Sequence, residues 1–423
     1  MAQRIVFHVD ANSAFLSWSA AYRVQVLGEE LDLRTVPSVV AGDKESRHSI
    51  ILAKSAPAKK YGIQTGEPLF QALEKCPDLK IVEPDYSLYV ECSRHFVEVL
   101  RSFSPVVEQY SIDEAWVDMT GTERLWGSPR LAAEQMRRRI NEELGFTVNI
   151  GISSNKLLAK VAGDFEKPDK VHTLFPHEIE KKMWPLPVRD LFSVGPATER
   201  KLHELSIRTI GELARTDVAL LRRRLHKPGE ILWHFANGRC GDEFLTPPEE
   251  NKGYGNSMTT PWDVGDMTEA RQVLLSLCET VGMRMRKDCR RGSLVAVSIR
   301  DTEFHDCSRQ MGLPSATNVT GEIFEAACRV LEALWDKKTP LRQLGVRMGK
   351  ISAGDWRQCC LFETHDYARM EKMDAAVDAI RAKYGEEAIC RARFLGDGVA
   401  DSMAGGLDKA RRTGVTRPIP GEG

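Results

Sequence analysis

Three carboxylates stand where folding could bring them together. Asp10 follows the apolar run RIVFHV at 4–9, and Asp113 and Glu114 sit in the polar centre of VVEQYSIDEAWVDMTG. The flanks are rich in β-branched and large apolar residues. They read as a buried strand ending in a carboxylate and as a strand, tight turn and returning strand. Converging carboxylates repel one another and lose hydration, so such a cluster calls for cations. Oxygen ligands suit Mg²⁺, and two divalent ions about 3.5 to 4 Å apart can serve in-line phosphoryl transfer. Spacing alone leaves a plainer reading open, in which Asp10 ends a strand and Asp113 and Glu114 are turn residues.

Other residues could serve the same chemistry. Ser55, Lys59 and Lys60 lie close together, as do Lys156, Lys160 and Lys167, and RMRKDCRR places Arg284, Arg286, Lys287, Arg290 and Arg291 within one short stretch. Solvated surface charge accounts for each group equally well at this level. Phe15, five positions after Asp10, reads as an aromatic packing one face of a helix.

The chain has 423 residues, enough for two to four domains. With 42% hydrophobic and 28% charged residues it can build real cores. A net charge of −1 argues against indiscriminate polyanion binding, so charge distribution must decide. The opening MAQRIVFHVDAN turns polar before a secretory core could form, and no run of about 18 apolar residues follows; a cytoplasmic protein with no membrane role is expected. The ten cysteines are scattered without a CxxC, which writes neither a zinc site nor a disulfide framework.

The elements that must position the acids follow from pattern. AFLSWSAAYRV is helix-like, PSVVA and ILAK are strand-like, and PLFQALEKC and residues 130–143 are helical. FTVNIGIS is a further strand, giving a mixed sheet with helical returns. After Pro168 come short helical pieces, PATERKLHELSI, TIGELA and GEILWHFANG, and then a linker-like GDEFLTPPEENKGYG. Residues 255–355 suggest helix, strand, helix, strand. In the final segment Met373, Val377, Ile380 and Tyr384 share one face of a helix.

FHVDANSAFLSW, SIDEAWVD and GISSNKLLAKVAGDFEKPD together resemble the Y family of DNA polymerases, with Asn12 pointing to its UmuC-like branch. The resemblance implies an α+β, multidomain right-hand polymerase. Its palm would occupy 1–24 and 79–168, its fingers 25–78, its helical thumb 169–240 and an additional α/β little finger 241–355, with a clamp-binding peptide and C-terminal helical tail over 356–423. It implies two Mg²⁺ ions, replaceable by Mn²⁺, on Asp10, Asp113, Glu114 and the carbonyl of Ala11. Phe15 would be a steric gate below the incoming sugar, and Ser55, Lys59 and Lys167 would contact the triphosphate. Relatives often carry arginine at the Lys59 position and tyrosine at the Ala56 position.

LFSVGPATERKLHELSIRTIGELA resembles a helix-hairpin-helix in which Gly195 would approach DNA phosphate, although Ser193 stands where glycine is common. Beside a little finger, Arg284, Arg286, Lys287, Arg290 and Arg291 would grip the DNA backbone. Gln358, Leu361 and Phe362 resemble a peptide that docks on the bacterial sliding clamp. The partners implied are primer-template DNA, a dNTP, that clamp and accessory repair proteins, in a nucleoid-associated location. No further acidic set suggests a proofreading nuclease. The competing readings are a DNA and clamp adaptor with impaired catalysis and a metal-dependent nuclease.

Overall fold

The computed structural model describes residues 4–42, 49–241, 244, 251–353, 366–385 and 388–394. The chain divides into two compact units, the described residues up to 244 belonging to the first and those from 251 to the second. Its strands, in chain order, are β1 (Val6–Ala11), β2 (Ser38–Ala41), β3 (Ile51–Lys54), β4 (Lys80–Val82), β5 (Val107–Gln109), β6 (Glu114–Asp118), β7 (Val148–Ser153), β8 (Val171–Thr173), β9 (Tyr254–Val264), β10 (Arg290–Asp301), β11 (Asp306–Thr317) and β12 (Leu341–Ala353).

The first unit is built on a five-stranded sheet in the order β5-β6-β1-β7-β8. β1 is central and antiparallel to both neighbours. Because side chains alternate across a strand, Phe7, Val9 and Ala11 share a face with Ala115 and Val117 of β6 and Val148, Ile150 and Ile152 of β7. This face forms one core with Phe96, Leu100 and Phe103 of the helix Tyr86–Phe103 and with Met136 and Ile140 of the helix Pro129–Leu144. Sequence pattern did not assign Tyr86–Phe103, although Asp85 caps it on Leu88 N and its apolar residues recur at helical spacing.

The opposite face carries His8, Asp10, Glu114, Trp116 and Gly151, and the helix Lys156–Gly163 lies against it. At Gly151 the strand and helix backbones approach so closely that a Cβ would overlap Ala159 O and Gly163 N. Leu157, Leu158 and Val161 of the same helix join the core of the helical region, packing with Leu202, Ile210, Leu213, Leu221 and Leu232. A smaller sheet, β3-β2-β4, buries Val39, Ile51, Ile63 and Leu69 in a core of its own.

The second unit is a four-stranded antiparallel sheet, β11-β10-β12-β9, packed on the helices Met267–Lys287 and Thr320–Leu334. The expected helix, strand, helix, strand is present, but β9 and β11 are added as its edges. Each contains glycine and proline, Pro261 in β9 and Gly312 and Pro314 in β11. An edge strand tolerates the missing N–H of proline, so these breakers did not prevent pairing. The expected C-terminal helix is Tyr367–Tyr384. Met373 and Tyr384 are 48% and 67% exposed, while Asp374 is buried and pairs with Arg286. Among the described residues no helix is long and apolar enough to cross a membrane.

Gly151→Ala should separate strand and helix and destabilise the first unit by about 1 to 3 kcal/mol or more, as overpacking does. A urea midpoint equal to that of the parent protein would show the contact to be less tight than described.

Candidate active site

The β1–β6 register sets Asp10 directly opposite Glu114, with both side chains on the face that also carries His8 and Trp116. Asp10 therefore lies within its strand rather than after its end. Asp113 precedes β6, and its turn is held by Ala11 N donating to Asp113 O at 2.9 Å and by Ser111 Oγ donating to Asp113 Oδ1 at 2.6 Å.

Asp10 and Glu114 have different neutralising partners. Lys167 Nζ pairs with Asp10 Oδ2 and reaches Asp164 at 2.8 Å. Burial pulls the Lys167 ammonium down, but Asp10 and Asp164 outweigh it and hold it raised to about 12. Glu114 Oε2 meets Lys160 Nζ and, at 2.9 Å, His8 Nε2. Burial opposes its ionisation, yet these donors hold the Glu114 carboxyl down at about 2. Asp113 differs: burial, then the negative charge of Asp10 and Glu114, raises it despite the bond from Ser111.

Asp10, Ala11, Phe15 and Asp113 line a cavity of about 390 Å³ together with Lys54, Lys59, Thr65 and Lys167. Glu114 stands outside this lining, turned to His8 and Lys160. Among the described residues no group of three or more His, Cys, Asp or Glu side chains is arranged to hold a metal ion as it stands. The donor set nonetheless fits a hard divalent ion: carboxylate and carbonyl oxygens make it up, and Asp113 has no salt-bridge partner among the described residues. A second cavity, of about 400 Å³, lies away from these acids. There Arg137 is paired with Glu134 and Asp169, and Lys182 with Glu178.

Asn12 is an interior fastener. Its Nδ2 donates to Asn149 Oδ1 at 3.1 Å, while its Oδ1 accepts from Thr147 Oγ1 and Asp169 N, both at 3.0 Å. Asn149 is itself fixed by donating to Gly163 O and Glu166 O. An aspartate at residue 12 would set its oxygen against the Asn149 Oδ1 acceptor, so the amide is the side chain this local network requires. Phe15 both packs and lines. It stacks on Tyr89 with centroids 4.4 Å apart and rings 6° from parallel, and it borders the cavity beside the acids.

Of the expected triphosphate contacts, Lys59 and Lys167 face the cavity, and Lys54 joins them without having been singled out from sequence. Ser55 is a correction. Only 2% exposed, it donates to Val36 O at 2.7 Å and accepts from Ser38 N and Ala58 N, both at 3.1 Å. One donor and two acceptor positions are thereby used, leaving the hydroxyl nothing to offer phosphate. It is the N-cap of the short helix Ala56–Lys59.

Gly195 is the N-cap of the helix Pro196–Glu204, and a Cβ there would meet nothing within 4 Å. Ser193 adopts φ 73°, the left-handed conformation that glycine favours. In the second unit the basic cluster splits by role. Arg286 donates to Asp378 at 2.6 Å and 3.1 Å and to Asp374 at 3.2 Å, and Arg291 donates to Glu371 at 2.8 Å. Their side chains are 12% and 11% exposed and serve to hold the C-terminal helix, which corrects the expectation that they grip DNA. Arg284, Lys287 and Arg290 are at least partly exposed, and exposed Arg347, unassigned from sequence, lies on the sheet face opposite the helices. Gln358, Leu361 and Phe362 lie outside the described residues.

The impB/mucB/samB family matches residues 9–164, its C-terminal domain residues 251–361 and its HHH motif residues 176–207. A DNA polymerase IV of Clostridium acetobutylicum is 42% identical over 392 residues, covering 93% of this chain and 98% of that protein. DNA polymerase IV 2 of Bacillus subtilis is 35% identical, covering 93% and 95% respectively. These relatives carry polymerase IV names, not the UmuC-like name that Asn12 suggested. A solved Y-family DNA polymerase chimera shares the fold with a TM-score of 0.69 at 21% identity, covering 83% of this chain and 100% of its own. The chain belongs to the impB/mucB/samB family and is a multidomain α+β DNA polymerase of the Y family.

Proposed function

We propose that the chain adds deoxynucleotides to a primer 3′ end by two-metal-ion phosphoryl transfer, in translesion synthesis during DNA repair. One observation carries the reading: Asp10 and Asp113 share a cavity with Lys54, Lys59 and Lys167, and Phe15 lies beside them. Acids for cations and ammonium groups for a triphosphate are thus paired across a nucleotide-sized space. Bound at Asp10, Asp113, Glu114 and Ala11, two Mg²⁺ ions, or Mn²⁺ in their place, would activate the attacking oxygen and neutralise the leaving phosphate.

The chain's own residues do the rest. Lys59 and Lys167 neutralise the triphosphate, with Lys54 adding positive charge. Phe15 is a rigid ring, backed by Tyr89, against which the sugar is sized. The five-stranded sheet is the palm, the β3-β2-β4 region the fingers, the helical region up to residue 240 the thumb and the second unit the little finger. The fingers have strands of only four, four and three residues, which supports a light grip on the nascent pair and tolerance of altered bases. Gly195, Arg284, Lys287 and Arg290 hold primer-template phosphates without reading sequence. Gln358, Leu361 and Phe362 dock on a sliding clamp, in a cytoplasmic, nucleoid-associated setting where accessory repair proteins also act.

Asp113→Asn should slow single-turnover addition at least about a hundredfold, roughly 2.7 kcal/mol, while primer-template affinity stays within a few-fold. Near-normal extension at saturating Mg²⁺ would remove Asp113 from the metal set. Phe15→Ala should raise ribonucleotide use relative to the matching deoxyribonucleotide by at least about tenfold on one template. A folded variant whose ratio of catalytic efficiencies is unchanged would make Phe15 a packing residue only. Changing Leu361 and Phe362 together to Ala should spare unaided extension but abolish most clamp stimulation, since each buried anchor is worth roughly 1.5 to 3 kcal/mol before association costs. Equal clamp affinity of parent and double variant would place the principal anchor elsewhere.

A further inference from the structure

Glu114 is gripped on one side only. His8 Nε2 at 2.9 Å and Lys160 Nζ both meet Oε2, and among the described residues Oε1 has no hydrogen-bond partner. His8 is fixed by burial and by its ring neighbour. It is buried on β1, its ring lies 5.6 Å from that of Trp116, and Trp116 Nε1 is fixed by Lys156 O at 3.1 Å. Its other nitrogen, Nδ1, has no hydrogen-bond partner among the described residues. Facing a carboxylate on one side and no partner on the other, the imidazole carries its proton on Nε2 and donates it to Glu114. Lys160 is likewise confined, its Nζ 5.3 Å from the centre of the Tyr110 ring and 5.6 Å from that of Phe192.

We infer that His8 is a positioning residue for the polymerase reaction: with Lys160 it captures Oε2 of Glu114 and leaves Oε1 as the single oxygen presented to a divalent cation. The inference rests on the metal-binding reading of Asp10, Asp113 and Glu114. A carboxylate swings about its terminal torsion unless something holds it, and a fixed donor behind a metal-binding carboxylate sets which oxygen points forward. Lys160 supplies charge, but on a flexible stem. The planar ring on a central strand supplies direction.

The test compares His8→Gln with His8→Met, which are similar in length and shape but differ in whether an N–H can reach Glu114. Mn²⁺ is titrated into the full-length chain bound to a dideoxy-terminated primer-template and the matching dNTP, and free Mn²⁺ is read by electron paramagnetic resonance. No turnover is required. His8→Met should bind Mn²⁺ about tenfold more weakly than the parent, the usual scale for losing such a support, while His8→Gln stays within about threefold. A merely structural role predicts the reverse order, because apolar Met suits a buried site better than Gln. Met binding as tightly as Gln therefore overturns the inference. His8→Phe replaces Met as the donor-free variant if Met does not melt cooperatively. Glu114→Gln runs alongside: if it leaves Mn²⁺ binding unchanged, the metal reading itself falls, whereas its loss together with an unaffected His8→Met rejects the role of His8 alone.

Discussion

Two carboxylates directly opposite each other on neighbouring strands repel, and the Asp10–Glu114 pair is held in that arrangement at the centre of a sheet. Much of the surrounding structure offsets this one unfavourable contact. The helix Lys156–Gly163 brings Lys160 to Glu114, the segment after it brings Lys167 to Asp10, and β1 itself supplies His8. None of these partners neutralises Asp113, whose carboxyl is raised first by burial and then by the charge of Asp10 and Glu114. The site is thus stable enough to fold, yet retains negative charge that a bound cation can relieve, which is the condition for binding one.

The helix Lys156–Gly163 is the element through which sheet, site and helical region are joined. Its apolar residues belong to the core of the helical region, and its backbone reaches the sheet at Gly151. Buried on so many sides, it has little freedom to tilt, and Lys160 shares that confinement. A lysine in this position differs from a surface lysine of the same charge because its entropy has already been lost before any ligand arrives.

What was legible in the sequence follows burial. Strands enclosed on both faces, such as β1 and β7, announce themselves by apolar runs, and Asp10, Asp113 and Glu114 stand out against them. Edge strands β9 and β11 were hidden because one side faces solvent and their glycine and proline read as breakers. The site was legible as a set of residue types but not as pairings. Sequence put Ser55 among phosphate ligands when its hydroxyl is consumed as a cap, and put Arg286 and Arg291 on DNA when Asp374, Asp378 and Glu371 hold them. Charge sign can be read from a sequence. Which opposite charge arrives first is decided by a segment about 80 to 90 residues away, as with Arg291 and Glu371 at a separation of 80.

If the cavity takes a nucleotide as proposed, its lysines bear on how that nucleotide is held. Arginine would present a planar fork able to fix a phosphate in two directions, whereas Lys54, Lys59 and Lys167 act as compact charges on flexible stems. They can balance a triphosphate while imposing little orientation on it. Directional constraint must then come from groups that are rigid: the carboxylates on the strands, the ring of Phe15 stacked on Tyr89, and base pairing with the template. A site that constrains the sugar and the reacting phosphate more tightly than the shape of the nascent pair is suited to copying templates whose bases are altered, since tolerance at the base then costs little precision at the bond being made.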